Sequence, residues 1–371
     1  MSFIKKYRQN CIVQITGWFI LLSLIPACRQ WNTFAGLIID VPLAEEQDVV
    51  SLAELCNGME IIPLEANENA LLTPIAQTGY RISGDTLFCL DIMTHAVQVF
   101  KLTGEHLYTL KRYGRGPGEY MLENEIFVNP YTGTLDLITQ MGHIISYDIQ
   151  NDYQHVKTIT ISDEIRSVSA CALHPSGKGY FFYAPYNPHR QLGYLDLLSG
   201  EAHFFDYELD QDLVRSDVSA TSTPFSTFDA QILFLESFSG KVFRLDEEAM
   251  TMTPHVSFDA GKYRYSKGKE KSGEQRIAAP YRRYHENEDL IFAELIFDKQ
   301  WLAIVYDKKQ DTCRYFHKTA EDVIFTLGEF KGDNMFLLMD PSLLSHFTGS
   351  EETFDKGNFL LLKYSINPAF Q

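Results

Sequence analysis

Two short segments of the sequence carry residue types that bind sugars or anionic ligands. The first spans residues 183–190 and reads Tyr-Ala-Pro-Tyr-Asn-Pro-His-Arg. Tyrosine faces can stack on sugar rings, while cations and amides can hydrogen-bond hydroxyl groups. The same composition also suits a Tyr- and Pro-rich turn that packs on a neighbouring sheet. The candidate ligand-binding residues of this segment are Tyr183, Tyr186, His189 and Arg190.

The second segment spans residues 281–286 and reads Tyr-Arg-Arg-Tyr-His-Glu. Basic and aromatic side chains so close together can line a pocket for an anionic or glycan ligand. We expect the segment to form a loop that leads into a group of strands, where its charges would equally well neutralise acidic surface. Its candidate ligand-binding residues are Arg282, Arg283, Tyr284 and His285.

The sequence lacks the short motifs of common catalytic sites. It has no Gly-x-Ser-x-Gly, no His-Glu-x-x-His and no pair of histidines at metal-ligand spacing. Ser266 and Lys269 have Ser-x-x-Lys spacing but lie in a hydrophilic stretch without the partners of that motif. We therefore predict no catalytic residue, metal or cofactor. Carboxylates that come together from distant parts of the chain leave no such motif, so a hydrolase or lyase stays open as an alternative.

A glycine-rich segment has the most tightly specified backbone of the chain. Alternate glycines can take positive φ, and a proline fixes its own φ and restricts the residue before it. We predict a shaped structural loop in which the arginine and glutamate fix neighbouring elements or face a ligand, and in which Gly116→Val would impair folding. No Gly-Lys-Ser/Thr ending follows, which argues against a nucleotide site. The segment, named the glycine loop below, consists of Gly114, Arg115, Gly116, Pro117, Gly118, Glu119 and Tyr120.

Short apolar runs rich in β-branched and aromatic residues lie on both sides of the glycine loop. Turn residues such as Ser83-Gly84 and Thr103-Gly104 separate them, and groups of about four runs recur every 40 to 50 residues or so. This pattern predicts an all-β propeller with four-stranded antiparallel blades, six by our division of the chain, although seven compact blades or a large sandwich would also suit the length. The strand at 60–65 contains Pro63, which confines it to an edge, as expected if it completes the last blade.

Three motifs resemble those of a known family, the six-bladed β-propeller lipoproteins of Bacteroidetes, which look loosely like NHL-repeat propellers. They are Ile62-Pro63-Leu64-Glu65, the glycine loop, and Tyr306-Asp307-Lys308-Lys309. The acidic, Gly-containing segment typical of the family is reproduced only in part at 322–333. The resemblance implies a six-bladed propeller, and most members of the family have no known biochemical activity.

The N-terminus has the features of a bacterial export signal. Lys5, Lys6 and Arg8 precede a stretch of about 20 uncharged residues, which ends at Ile25-Pro26-Ala27-Cys28. We predict a lipoprotein signal peptide at 1–27, lipidation of Cys28, a tether at 28–48 and the propeller at 49–371. The alternative is an uncleaved membrane anchor. Both place the folded part outside the cytoplasm. We predict an outer-membrane or periplasm-facing lipoprotein of the cell envelope.

The charge of the chain excludes some partners. The net charge is −17, and removal of residues 1–27, which contain three cations and no anions, makes it −20. Such a chain repels phosphate backbones, so we predict no nucleic-acid partner, and membrane attachment is left to lipid chains. The spacing of Cys56, Cys89, Cys171 and Cys313 fits no metal motif.

The sequence as a whole predicts an extracytoplasmic propeller that acts as a binding module. Its partner would be a glycan, a peptide or another protein of the envelope. The alternative is an extracellular hydrolase or lyase acting on a carbohydrate or lactone at the mouth of the propeller channel. A purely structural role in an outer-membrane assembly is a third hypothesis.

Overall fold

A computed structural model describes residues 34–73, 78–165, 167–208, 223–266, 276–349 and 358–368. The chain divides into two units, residues 1–35 and 36–371, and all the strands belong to the second. The predicted signal peptide and Cys28 lie outside the described residues. Within the described residues, no helix is long and apolar enough to cross a membrane.

The second unit is a six-bladed β-propeller of antiparallel blades. Its N-terminal part contains β1 (Leu37–Asp40), helix α1 (Leu52–Leu55) and β2 (Cys56–Pro63). The first blade contains β3 (Thr78–Ser83), β4 (Thr86–Asp91), β5 (Ala96–Lys101) and β6 (His106–Leu110). The second contains β7 (Glu123–Asn129), β8 (Thr134–Thr139), β9 (His143–Asp148) and β10 (Gln154–Thr160). The third contains β11 (Ala170–Leu173), β12 (Gly179–Tyr183), β13 (Leu192–Asp196) and β14 (Ala202–Phe204).

The remaining blades follow in chain order. The fourth contains β15 (Phe225–Phe228), β16 (Gln231–Glu236), β17 (Lys241–Asp246) and β18 (Thr251–Asp259). The fifth contains β19 (Tyr281–Glu286), β20 (Leu290–Phe297), β21 (Gln300–Asp307) and β22 (Thr312–Phe316). The sixth contains β23 (Glu329–Lys331), β24 (Asn334–Met339) and β25 (Leu360–Ile366). Short 3-10 helices span Gly261–Tyr263 and Pro341–Leu343, and the second leads into helix α2 (Leu344–Thr348).

The N-terminal strand β2 closes the ring. It pairs antiparallel with β25, so the sixth blade has the order β2-β25-β24-β23. Pro63 is the last residue of β2 and pairs with Leu360, which agrees with the restriction of proline to strand ends and edges. The prediction that an N-terminal strand completes the last blade is therefore confirmed.

The segment before β2 differs from the prediction. Strand β1 adds a fifth, parallel strand to the fourth blade through the register Leu37↔Val256 to Asp40↔Asp259. The chain then passes along the fifth blade, where the Tyr315 amide donates to Asp48 Oδ2 at 2.9 Å and the Tyr315 hydroxyl donates to the Glu45 carbonyl at 2.6 Å. Residues 37–55 thus connect three blades. The predicted tether is too long at its C-terminal end, because residues 37–48 pack on the propeller.

The apolar core is divided among the six contacts between neighbouring blades. Each of six clusters of buried side chains combines residues of two adjacent blades, and the cluster of the sixth and first blades includes Ile62 and Leu64 of the N-terminal segment. This division follows from strands whose two faces are both covered, as in β4 and β8. The blades therefore support one another around the complete ring.

The first strand of each blade is the innermost. Strands β3, β7, β11, β15, β19 and β23 line one central cavity, and neighbouring innermost strands contact each other around most of the ring. On the remaining side, His285 of β19 stacks on Phe330 of β23 with ring centroids 3.4 Å apart. The segment 281–286 is thus a strand of the fifth blade, and the prediction of a loop there is wrong. Its residues complete the sheet by pairing with β20.

Candidate functional site

The central cavity has a volume of about 510 Å³ and receives residues from all six blades. That volume lies within the roughly 300 to 1,000 Å³ of known small-molecule sites. Innermost strands alternate their side chains between the cavity and the neighbouring blades, because successive residues of a strand point to opposite faces. The sequence of each innermost strand therefore determines which side chains one sector of the wall exposes to the cavity.

Two carboxylates share one guanidinium group on the cavity wall. Nη2 of Arg81 lies 3.4 Å from Oε1 of Glu125, and its Nη1 lies 3.7 Å from Oε2 of Glu329. The three residues belong to the first, second and sixth blades. The other oxygen of Glu125 accepts a 2.5 Å hydrogen bond from the Cys171 amide, and the Arg81 guanidinium lies 4.8 Å from the centre of the Phe127 ring. The cluster thus links three blades and touches a fourth.

A second guanidinium, that of Arg283, lines the cavity on the fifth blade. Its Nε lies 3.9 Å from Oε2 of Glu294, a buried residue on the neighbouring strand β20. Oε1 of Glu294 accepts hydrogen bonds from Thr326 Oγ1 at 2.5 Å and from the Leu327 amide at 2.6 Å. Around the wall the charged residues alternate in sign. We call this set the charge ring: Arg283, Glu329, Arg81 and Glu125.

The enclosed position of the charge ring changes its protonation. Burial raises the pKa of Glu125 from 4.5 to about 7, although Arg81 acts in the opposite direction. Burial also raises the pKa of Glu329, again opposed by Arg81 and Arg283. For Arg81, burial alone would lower the pKa, but Glu329 and Glu125 outweigh it and raise that pKa. Near neutral pH, Glu125 is therefore a carboxyl group that both holds and releases its proton.

Aromatic residues flank the charge ring. Burial lowers the pKa of His285 to about 4, so this imidazole is neutral at pH 7 and forms a flat stacked pair with Phe330. The Tyr80 hydroxyl donates to the Phe336 carbonyl at 2.9 Å, and burial raises its pKa to about 12. These groups offer ring faces, not additional charge, to a ligand.

The third and fourth blades give the cavity an uncharged wall. Among the described residues, the lining from these two blades consists of Ala170, Cys171, Ala172, Leu173, Thr223, Pro224, Phe225, Ser226 and Thr227. All four members of the charge ring come from the other blades. The cavity is therefore asymmetric, with alternating charges on one side and small, hydroxyl and aromatic groups on the other.

The structure separates the four candidates of the second sequence segment. Arg283, Tyr284 and His285 all contribute atoms to the cavity lining. Arg282 lies with its guanidinium 4.4 Å from the centre of the Trp301 ring, and burial lowers its pKa. The hydroxyl of Tyr284 donates to Glu286 at 2.6 Å in the contact with the fourth blade. Of the four candidates, only Arg282 is absent from the cavity lining.

The four candidates of the first segment lie elsewhere, in and beside the connection between β12 and β13. Tyr183 is buried with its ring 5.3 Å from that of Phe234, whereas Tyr186 is exposed and His189 is 80 % exposed. Arg190 pairs with Glu164 and lies 4.8 Å from the centre of the Phe204 ring. None of the four lines the central cavity as described, and their part in ligand binding stays a prediction.

The glycine loop connects the first two blades and folds back on itself. The Gly114 amide donates to the Tyr120 carbonyl at 3.0 Å, and the Gly116 amide donates to Oε2 of Glu119 at 2.7 Å. Gly118 has φ of 71°, and its carbonyl accepts from the Tyr147 hydroxyl at 2.9 Å. Positive φ therefore occurs at Gly118 and not at Gly116. Positive φ is thus not a reason for Gly116→Val to impair folding, and the effect of that substitution stays a prediction. Glu119 caps its own loop, while Arg115 contacts the sulfur of Met121.

Sequence reasoning missed Arg81, Glu125 and Glu329. Each belongs to a strand without a recognisable binding motif, and the three are far apart in the chain. The available signal was positional, because a charged residue in the first strand of a blade lies on the channel wall. That signal depends on correct strand boundaries, which the sequence gives least accurately for the short β11 and β23.

Comparison with known proteins identifies the fold without a function. A family model described as "Domain of unknown function (DUF4934)" matches residues 37–348. The fold is similar to that of a candidate exported protein (BF0058) of Bacteroides fragilis NCTC 9343, with a TM-score of 0.66 and 17% identity over 89% of this chain and 99% of that one. A member of the DUF4221 family from Bacteroides vulgatus ATCC 8482 gives a TM-score of 0.54 and 9% identity over 87% and 99%. No curated protein matches the chain.

Proposed function

The chain belongs to the DUF4934 family, and we propose that it is an extracytoplasmic binding module whose central cavity holds the ligand. The ligand is a small glycan, a peptide segment or an exposed part of another envelope protein. The observation that carries this proposal is the cavity itself, which gathers charged, aromatic and hydroxyl groups from six blades in about 510 Å³. Stability alone does not require ionisable groups there, because apolar side chains of similar volume would fill the ring at less cost.

Binding to surface material tests the proposal. We would immobilise the purified chain and incubate it with glycan arrays, peptide libraries and envelope extracts, next to a variant in which Ser226→Trp fills the cavity from the fourth blade. Ser226 lines the cavity, and a bulky ring there would exclude a ligand. Retention by the native chain and loss in the variant are expected. If neither protein retains any component, the binding function is wrong.

Export and lipid attachment are part of the same proposal. They are supported by the basic N-terminus, the apolar stretch and the cysteine at position 28, and by similarity to a candidate exported protein. In this proposal the mature chain starts at a lipidated Cys28 and faces the periplasm or the cell exterior on the outer membrane. It contacts the membrane through lipid chains and binds no nucleic acid, as its net negative charge favours.

Metabolic labelling tests the lipid attachment. Cells expressing the native chain with an alkyne fatty acid should give a labelled membrane protein, and Cys28→Ala should remove both the label and the membrane fraction. Cys56→Ala is the matched control, because Cys56 is a buried thiol of the propeller. Labelling that persists in Cys28→Ala would show that Cys28 is not the lipidated residue.

A hydrolase or lyase acting on a carbohydrate or lactone is the second candidate function. One observation favours it, because two carboxylates of the cavity share the Arg81 guanidinium and one of them, Glu125, has a pKa of about 7. A carboxyl group with a raised pKa beside a second carboxyl group is found in pairs of a general acid and its partner. Turnover of a retained glycan, lost in Glu125→Gln while retention persists, would favour this candidate. Retention without turnover would favour the binding module.

A further inference from the structure

Arg283 is the arginine of the charge ring whose hydrogen-bond donors are left unused. Among the described residues, its guanidinium group makes no hydrogen bond. The carboxylate oxygen that it approaches, Oε2 of Glu294, lies 3.9 Å from its Nε, beyond hydrogen-bonding distance. The side chain lines the cavity and is 39% exposed, so a ligand in the cavity can reach these donors. A guanidinium group carries five N–H donors in a planar fork that matches the two oxygens of a carboxylate.

Arg81, the other arginine of the cavity wall, is already occupied. Its Nη1 donates to the Tyr80 carbonyl at 2.9 Å, and its Nη2 donates to Oε1 of Glu125 at 3.4 Å. Oε2 of Glu329 lies 3.7 Å from the same Nη1. A ligand at Arg81 would have to replace these partners. The cation that is available to a ligand without such a loss is therefore that of Arg283.

Hydroxyl groups of the fourth blade lie beside Arg283. The Thr223 amide donates to the Arg282 carbonyl at 3.0 Å, which brings Thr223 level with Arg283 where the fourth and fifth blades meet. Thr223 is exposed and lines the cavity, and so does Ser226 of β15, further along the chain. Within the ranges that the structure describes, neither hydroxyl makes a hydrogen bond. This part of the wall thus combines a cation with two hydroxyl donors that the protein itself does not use.

We propose that the Arg283 guanidinium and the Thr223 hydroxyl bind a carboxylate group of the ligand. This inference rests on the proposed binding function and adds the chemical class of the ligand. A carboxylate accepts two parallel, charge-assisted hydrogen bonds from a guanidinium group and has lone pairs left for a hydroxyl donor. The uncharged remainder of the ligand lies along the third and fourth blades, where Ser226 donates to one of its oxygens.

The charges around the cavity favour an added anion. Three arginines and three glutamates lie in or directly behind the wall, so their charges cancel when all six groups are ionised. They are Arg81, Arg282, Arg283, Glu125, Glu294 and Glu329. Burial raises the pKa of Glu125 to about 7 and that of Glu329 above its ordinary value. The protons that these two carboxyl groups hold near neutral pH leave the six groups with a net positive charge.

Matched ligands that differ in the carboxylate test the inference. A carboxylate reaches such a site from an acidic sugar or from an acidic side chain of a peptide. The first pair is therefore methyl glucuronide and methyl glucoside, and the second set is the Nα-acetyl amides of glutamate, glutamine and lysine. Binding to the full chain would be followed by calorimetry and ligand-observed NMR at pH 6.5. We expect the carboxylate member of at least one set to bind about tenfold tighter than its neutral counterpart.

The outcome also distinguishes the two sources. A preference for the glucuronide alone indicates an acidic sugar, and a preference for the glutamate amide alone indicates a peptide. Equal or tighter binding of the neutral members, tighter binding of the lysine amide, or no binding by any probe overturns the inference. If the native chain still retains envelope material that Ser226→Trp does not retain, the binding function stands and only the ligand class is wrong.

Variants locate the carboxylate. Arg283→Gln should remove most of the preference for the carboxylate ligand, and Arg283→Lys, which keeps the charge without the fork, should keep part of it. Thr223→Val should weaken carboxylate binding about threefold, because one hydrogen bond is lost. Arg276→Gln is the matched control, because Arg276 pairs with Asp298 at 3.4 Å and does not line the cavity. It should bind like the native chain. Unchanged preference in Arg283→Gln, or in both Arg283→Lys and Thr223→Val, would contradict the assignment.

The pH dependence of binding gives an independent readout. The groups that face Glu125 are Arg81 on β3, Glu329 on β23 and the Cys171 amide and thiol on β11. As the pH rises from 6 to 8 or so, Glu125 loses its proton and the net positive charge of the cavity decreases. The affinity for the carboxylate ligand should therefore fall over this range. Glu125→Gln should bind it more tightly than the native chain at the upper end and depend less on pH. Affinity that rises with pH in the native chain would overturn the inference.

Discussion

Two glutamates of the propeller, Glu286 and Glu125, lie at contacts between blades, and their surroundings differ. Glu286, between the fourth and fifth blades, accepts hydrogen bonds from His255, Lys308 and Tyr284, each at 2.6 Å. Glu125, on the channel, has Arg81 at 3.4 Å and one backbone amide. Burial would raise both pKa values. Hydrogen bonds from His255, Lys308 and Tyr284 outweigh burial and lower the pKa of Glu286, whereas the pKa of Glu125 stays raised.

The difference teaches how the fold treats charge in two places. At the contact between the fourth and fifth blades, each oxygen of the Glu286 carboxylate has donors, and Arg244 in turn donates to Nδ1 of His255 at 3.1 Å. Such a saturated network fixes the position of one blade against the next. In the channel, each oxygen of the Glu125 carboxylate has a single donor, and the guanidinium donor lies at 3.4 Å. The carboxylate of Glu286 is therefore held by more and shorter hydrogen bonds than that of Glu125.

The largest effect is expected from breaking the hydrogen-bond network of Glu286. Glu286→Ala leaves Lys308 and His255 without their carboxylate in a buried place, and removal of one partner of such a pair typically costs about 3 to 5 kcal/mol. We expect the free energy of unfolding, measured by urea denaturation at pH 7, to fall by about that amount. Glu125→Ala, which removes a poorly paired carboxylate, should lower it far less. Equal losses for both variants would contradict the comparison.

The glycine loop allows a second test at the contact between the first and second blades. A Cβ atom on Gly118 would lie 2.5 Å from Cγ of His155, and φ of 71° is unfavourable for an L-residue. Gly118→Ala should therefore cost about 2 kcal/mol in thermal or urea unfolding. Gly116→Ala is the matched control, since φ there is not positive and the Cβ would approach only the side chain of the exposed Glu119, at 3.1 Å. A larger loss at Gly116 would reverse our assignment of the strained position.

Most of the fold could be predicted from the sequence, because strand rhythm and turn residues are local signals. The alternation within β10, exposed and half-buried in turn, and the fully buried β8 both leave clear patterns. The position of β2 followed from Pro63, whose chemistry restricts it to an edge. The fifth strand of the fourth blade was not predictable, because β1 is only four residues long and its pairing with β18 spans most of the chain.

The candidate site was predictable only in part, because it is assembled from single residues. Arg283 and His285 were found through their neighbours in a basic and aromatic segment. Arg81, Glu125 and Glu329 lie in three separate strands without a recognisable motif, and the closure of the ring brings them together. The segment around Tyr186 had the composition of a binding loop but lies away from the cavity. Composition identified residue types that suit ligand binding, but it could not show where these residues lie in the folded ring.

The smallest expected effect concerns the pH dependence of stability. The pKa of Glu125 is 4.5 ordinarily and about 7 in the folded protein, so between these values the folded chain holds a proton that the unfolded chain has released. Stability from this group therefore falls as pH rises from about 4.5, and the loss is complete above about 7. The opposite holds for Glu286, because its pKa is lowered in the folded protein. Its ionised carboxylate stabilises the fold at neutral pH, and this stabilisation is lost in acid.

Glu125→Gln should remove the contribution of Glu125 and leave that of Glu286. A pKa shift from 4.5 to about 7 limits the contribution of Glu125 to the free energy of unfolding to about 3 kcal/mol. Solvent screening in the channel reduces this contribution to about 1 kcal/mol. In urea unfolding at pH 5, 6, 7 and 8, we expect the variant to gain stability relative to the native chain as pH rises. Titrating groups that do not contact Arg81 contribute equally to both proteins and cancel in this difference. If stability changes with pH in the same way in the native chain and the variant, Glu125 is ionised throughout this range. Its pKa would then not be raised, and the contrast with the lowered pKa of Glu286 would be wrong.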